Sequence, residues 1–253
     1  MAEFRTSARA VDMLGRQQIA GIPSAISELF KNAHDAYASN AEADFLRFKD
    51  AFVLRDDGEG MSRQDFEQRW LTLGTSSKSA QSSTSRAHSG PRRAILGEKG
   101  IGRLAIAAIG PQTLVVTKAD GDPRVASLIH WGVFELAHAD LSQLTVPVED
   151  LAAGSAPDVL GMGKQVLSNL RDLISPDDEG LYERIEKDIE RWAKIDLDEL
   201  SRLAGFDLAT FDTGTAFIIL PTSPDLEADL ETPGPKEAAP LLRTLIGFAN
   251  TMT

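Results

Sequence analysis

The chain has 253 residues, 42% hydrophobic and 25% charged, with a formal net charge of −12 and no cysteine. That composition supports a full core in one large domain or two small ones; it excludes disulfides and thiolate metal sites, and its acidity speaks against a general nucleic-acid binder. No apolar run approaches the roughly 20 residues of a membrane helix, and the opening "MAEFRTSARAVDML" lacks the apolar stretch of a signal peptide, so a cytoplasmic protein with no membrane partner is expected.

Residues 7–20 and 22–38 read as helices, the second opening on Pro23 and Ser24. "ADFLRF" and "AFVLRDD", separated by "KD", read as two strands of a hairpin. "GEGMS" is a turn, and "SRQDFEQRWLTLG" a short helix capped by Ser62 with Asp65 three residues on. Residues 75–98 are rich in Ser, Thr and Gly, which predicts a long loop that is either functional or disordered; its "SRAHSGPRR" is the one dense basic patch. "GRLAIAAIG" reads as a small-residue helix, "TLVVTKA" and "VASLIHWGVFEL" as strands, residues 158–206 as mostly helical, "GTAFIILP" as a last buried strand, and "LIGFANTMT" as a helix-like tail. This order predicts an α+β fold, a mixed and mostly antiparallel sheet with helices on one face.

Three constellations carry chemistry. In "ISELFKNAHDAYAS", Glu28, Asn32 and Asp35 stand four and three residues apart, so a helix lines them up beside its apolar face. An arbitrary helix shows such a line to water; here it needs company from elsewhere in the chain to mean more. In "RDDGEGM", Asp56, Gly58 and Gly60 form D-x-G-x-G at a strand end. The glycines let the backbone turn tightly against something flat, and the aspartate can accept from an exocyclic amine, although Asp-Gly is also an ordinary turn pair. In "GEKGIGRLA", glycines before a helix offer backbone N–H groups to phosphate. Gly100, Gly102 and Ala105, with Asp120 following, also match a dinucleotide fingerprint. That fingerprint requires a buried strand directly before the glycines, and "SSTSRAHSGPRRAIL" is a loop.

Taken together, the chain resembles the GHKL, or Bergerat-fold, ATPases over residues of about 20–110, with a further element near 215. "ISELFKNAHDA" is similar to the N-box, "DDGEGM" to the adenine box, "LGTSSKS" (73–79) to a stretch of the ninety-kilodalton heat-shock chaperones, "GEKGIGRLA" to the glycine box, and "TGTAFIILP" to the closing G-T strand. The resemblance implies a two-layer Bergerat fold spanning 1–253, with an ATP lid at about 79–97; the mostly helical stretch at about 158–206 departs from that minimal fold and reads as a packing elaboration or a partner-docking module. It implies ATP or ADP with Mg²⁺ as cofactors, Asn32 as the metal ligand and Glu28 as the residue that activates the attacking water. Asp56 would take the adenine amine, with Gly58, Gly60, Met61 and Thr215 around the base. Asp35, Thr75, Ser76, Lys78, Lys99, Gly100, Ile101, Gly102 and Arg103 complete the expected nucleotide site.

Family members that are histidine kinases typically lack the glutamate one turn before the asparagine, so Glu28 favours hydrolysis. His34, His88, His130 and His138 read as structural or surface residues. The wording of "GEKGIGR" resembles bacterial stand-alone members, some of which act with nucleases or against foreign DNA. The expectation is the N-terminal part of a longer chaperone-like, MORC/MutL-like or defence machine that dimerises on ATP. Hydrolysis by this stretch alone is expected to be weak, because the family takes a catalytic cation from a following domain. The alternatives are a protein kinase of the same fold and a nucleotide sensor without turnover.

Overall fold

The computed structural model describes residues 6–15, 21–72, 93, 96, 102–231, 234 and 237–249. Its centre is a six-stranded sheet in the order β1-β2-β6-β3-β4-β5, every ladder antiparallel. The strands are β1 Ala41–Leu46, β2 Ala51–Asp56, β3 Gln112–Lys118, β4 Arg124–His130, β5 Val148–Leu151 and β6 Gly214–Ile219. The last strand in sequence thus sits at the sheet centre, between β2 and β3.

Alternation along these strands sends side chains to two different cores. Phe52, Leu54, Val115, Val125, Phe217 and Ile219 face a first cluster with Val11, Ile26, Leu29, Ile106 and Ile109. These come from helices α1 (Ala8–Gly15), α2 (Ile22–Asp35) and the short α4 (Ile106–Ile109); α3 is the single turn Arg63–Asp65. Ala51, Val53, Leu114, Val116, Leu128 and Ile218 face the other way, onto Val159, Met162, Trp192 and Leu200. The stretch expected to be a helical elaboration therefore covers the second face. It consists of α5 (Val159–Arg171), α6 (Glu179–Glu190) and α7 (Leu197–Leu203). Burial on both sides explains why β3 and β4 read as continuous apolar runs rather than as alternating strands.

The sequence expectations hold for most elements, with differences that have local causes. The hairpin forms, its turn Arg47–Lys49 closed by Asp50 in the left-handed conformation at φ 50. Asp50 is fixed there by accepting from the Thr222 hydroxyl at 2.7 Å. The expected cap at Ser62 is a complete capping box with Asp65. The strand expected over 125–136 stops at His130, whose Nδ1 accepts from the Gly132 N–H at 3.1 Å and starts a 3₁₀ turn, Trp131–Glu135. Two elements were not expected, β5 and the helix α8 (Asp225–Leu230); the tail forms α9 (Pro240–Ala249). Among the described residues no helix is long and apolar enough to cross a membrane.

Helix α2 matters most for function. Ile22, Ala25, Ile26, Leu29 and Ala33 are buried on one stripe, which fixes its rotation on the sheet. Glu28, Asn32 and Asp35 then fall beside that stripe, partly exposed. Its C-terminal end abuts the loop after β2, where the Glu59 N–H donates to the Ala36 carbonyl at 2.8 Å.

Candidate functional site

Three neighbouring strands end beneath this helix. Asp56 pairs with Thr215 across β2 and β6, and Thr215 with Thr117 across β6 and β3. Directly paired residues share a face, so a carboxylate and two hydroxyls stand in a row at the sheet margin. Asp56 Oδ1 accepts from the Gly58 N–H at 2.9 Å. Burial pushes the Asp56 carboxyl up to about 6, the Asp57 charge adding to the rise, while the Gly58 and Thr215 backbone N–H groups hold it back. A carboxylate this poorly hydrated is a strong acceptor for a donor brought to it by a ligand.

The two aspartates of "DDGEGM" divide the work. Asp57 Oδ1 accepts from the Ser39 and Asn40 N–H groups at 2.7 Å each, and Oδ2 from Asn40 Nδ2 at 2.8 Å. What burial it has pushes the Asp57 carboxyl up; the hydrogen bonds from Asn40 and Ser39 outweigh that and hold it below the usual range. Asp57 ties the end of α2 to the end of β2 and leaves Asp56 to face the site.

The glycines make this approach possible. A Cβ on Gly58 would lie 2.7 Å from the Ala36 carbonyl and 2.9 Å from Asp56 Oδ1. Gly60 has φ +60, and a Cβ there would meet the Lys118 carbonyl at 1.9 Å. Gly214, the neighbour of Thr215 and not among the expected site residues, has φ +116, and a Cβ there would meet the Asp56 carbonyl at 2.0 Å. Gly58→Ala is expected to destabilise the fold by about 1–3 kcal/mol, as overpacking does. A denaturant titration checks this, and an unchanged midpoint would show that the loop can move off the helix.

Met61 follows, half-buried against the first core, its N–H donating to Thr117 Oγ1 at 3.0 Å. Thr117 is fully buried and was not among the expected site residues. On α2, Glu28 Oε1 accepts from Lys31 Nζ at 2.6 Å. The Asn32 side chain makes no hydrogen bond among the described residues, so its amide oxygen is free to meet a cation. Asp35 Oδ1 accepts from the Leu96 N–H at 2.8 Å, and the Arg93 guanidinium donates to the Ala38 carbonyl at 2.8 Å and lies over the Tyr37 ring. The carboxylate of Asp35 therefore anchors chain at its own end of the helix.

Gly102 and Arg103 open a 3₁₀ turn, Gly102–Ala105, packed against α2. The Arg103 side chain turns onto the Trp70 ring, 5.8 Å from its centroid, and donates to the Arg69 carbonyl at 2.6 Å. Burial pushes its guanidinium down to about 10. Thr75, Ser76, Lys78, Lys99, Gly100 and Ile101 lie outside the described residues, as does the expected lid at 79–97 apart from Arg93 and Leu96. No group of three or more His, Cys, Asp or Glu that could hold a metal occurs among the described residues. Mg²⁺ does not require one. It keeps several waters and takes one or two protein oxygens besides those of a substrate phosphate, and the free amide of Asn32, one turn from Glu28, fits that demand.

Of the histidines, His130 is buried in the sheet with Nε2 3.4 Å from Asp188, and burial pushes its pKa down. His138 packs at Leu173. His34 sits beside Asp35, its Nδ1 3.5 Å from Oδ1. None of these three stands at the Asp56 row, and His88 lies outside the described residues.

An antiparallel sheet with a helix laid across one face, a polar line on that helix and a partly buried aspartate at the strand ends define a Bergerat-type nucleotide-binding fold. A family model described as histidine kinase-, DNA gyrase B-, and HSP90-like ATPase matches residues 21–151, more than half of the chain, and the chain belongs to that family. The match covers α2, the Asp56 loop and β1 to β5, and stops before β6 and Thr215. No curated protein matches the chain.

Proposed function

We propose that this chain binds ATP with Mg²⁺ and hydrolyses it slowly, as the nucleotide-driven switch of a larger machine. The observation that carries the reading is the Asp56–Thr215–Thr117 row set under the end of a helix that carries Glu28 and Asn32. Base, metal and water functions thus come from one helix and three strand ends.

Asp56 accepts the exocyclic amine of adenine, and Gly58, Gly60 and Met61 give the flat base a close backbone wall. The Asn32 amide oxygen holds the metal. Bound Mg²⁺ supplies charge neutralisation on the phosphates. Glu28 orients a water for in-line attack and takes its proton, so Lys31 must share or release that carboxylate when the water arrives. Gly102, with Lys99, Gly100 and Ile101 before it, offers backbone N–H groups to the phosphates. The catalytic cation on the γ-phosphate comes from a downstream domain, together with ATP-dependent pairing of two copies. A nuclease or another nucleic-acid-processing activity is the effector class that this switch would serve.

The test is to incubate the protein with Mg²⁺ and ATP labelled on the γ-phosphate. Free phosphate should accumulate slowly, with no label on protein. Label on protein would replace hydrolysis by kinase chemistry, and tight binding with no release would leave a nucleotide sensor.

A further inference from the structure

Thr117 touches three groups that together allow only one arrangement of protons. Its Oγ1 lies 3.0 Å from the Met61 N, 3.0 Å from the Gly214 carbonyl and 2.9 Å from Thr215 Oγ1. The Met61 N–H can only donate and the Gly214 carbonyl can only accept. A hydroxyl has one proton and two lone pairs. Thr117 therefore accepts from Met61 and gives its proton to Gly214. Its second lone pair is left for Thr215, which must be the donor in that pair.

The consequence falls on Thr215. With its proton turned inward to Thr117, this hydroxyl has only lone pairs for a ligand, and it stands beside the Asp56 carboxylate in the cross-strand row. Both outward-facing groups are then acceptors. An amino group with two N–H bonds satisfies such a pair; a carbonyl oxygen in the same place meets two repelling acceptors. We infer that Thr117 is a positioning residue that sets the site's preference for a 6-amino over a 6-oxo purine by fixing the hydroxyl polarity of Thr215. This rests on the adenine nucleotide reading above and adds the source of its base selectivity.

The burial of Thr117 makes the assignment firm. It has no exposed surface, so no water can take over either role. It was also invisible to motif reading, because its three partners lie on the Met61 loop and on β6, 56 to 98 residues away in sequence.

The experiment compares ATP with ITP, which replaces the 6-amino group by an oxo group, on the wild type, Thr117→Val and Thr117→Ser. Calorimetry measures both affinities on protein shown by circular dichroism to be folded. The wild type should prefer ATP by roughly 10- to 100-fold, since a mismatched buried polar group costs roughly 1–3 kcal/mol. Thr117→Val should cut that ratio about tenfold, because Thr215 is then free to donate outward. Thr117→Ser should keep the wild-type ratio. A merely structural Thr117 would weaken both nucleotides alike and leave the ratio unchanged, which would overturn the inference. A wild type that binds neither nucleotide would overturn the ATP reading itself. A Thr117→Val protein too unstable to assay is replaced by Thr117→Ala under the same criterion.

Discussion

Glu28→Gln is expected to leave ATP affinity within about threefold of wild type while lowering the turnover rate by roughly 10²–10⁴, the range for loss of a general base. The geometry separates the two quantities. Glu28 lies one helical turn before Asn32, off the Asp56 row and away from the base-facing glycines, so it adds little to ground-state binding. An interaction made only as the water attacks lowers kcat without raising KM. The cost to the fold is small, because the pair with Lys31 is partly exposed, with side-chain exposures of 31% and 29%, and such pairs contribute about 0–1 kcal/mol. Lys31→Gln is the companion variant: it breaks the same ion pair but keeps the carboxylate. Phosphate release and calorimetry on both variants decide the matter. If Glu28→Gln and Lys31→Gln lose turnover equally, the pair is structural and the base lies elsewhere.

The parts of the site legible in the sequence are those written in local periodicity. The helical spacing of Ile26, Leu29 and Ala33, all buried in the fold, announces α2 and, by subtraction, the position of Glu28 and Asn32. The capping box at Ser62 and the hairpin of β1 and β2 are equally local. What the sequence hides is set by partners distant along the chain. Strands β3 and β4 are buried on both faces, so their sequence does not say that Thr117 points to the site while Val116 points to the opposite core. The two aspartates of "DDGEGM" are indistinguishable as residues; only the pairing of Asp56 with Thr215, and the capture of Asp57 by Ser39 and Asn40, gives them different duties. The helical stretch at 158–206 could have been a docking module or a packing layer. Met162, Trp192 and Leu200, buried against Leu114 and Ile218, make it a layer. Strand β5 was missed because four residues, "VEDL", carry two acids and no alternation long enough to read.

Asp56→Asn should weaken adenine nucleotides by roughly 100-fold or more while leaving the fold as stable as before or more so. The stability half follows from the charge. With a folded-state value of about 6 against the ordinary 3.8, the carboxylate form is disfavoured in the native protein by about 3 kcal/mol. The contribution of Asp56 to stability is full below about pH 4 and lost as pH rises through 6, so at pH 7.5 the charged side chain is a liability that asparagine removes. Asparagine can still accept from the Gly58 N–H through its own oxygen. The affinity half follows from donor matching. The outer acceptor becomes an NH₂ group facing the amine of adenine, and two donors confront each other in a poorly hydrated place. The same chemistry predicts a pH signature. Adenosine suits this test better than ATP, because phosphate groups themselves titrate near 6. Its affinity for the wild type should be flat above pH 7 and fall about tenfold per pH unit below 6, where a protonated Asp56 presents a donor instead of an acceptor. In Asp56→Asn that dependence should vanish. Calorimetry with adenosine at pH 5, 6 and 7.5 reads both effects. A wild-type affinity that does not change between pH 5 and 7.5, together with an unchanged affinity in Asp56→Asn, would mean that the base does not sit on Asp56.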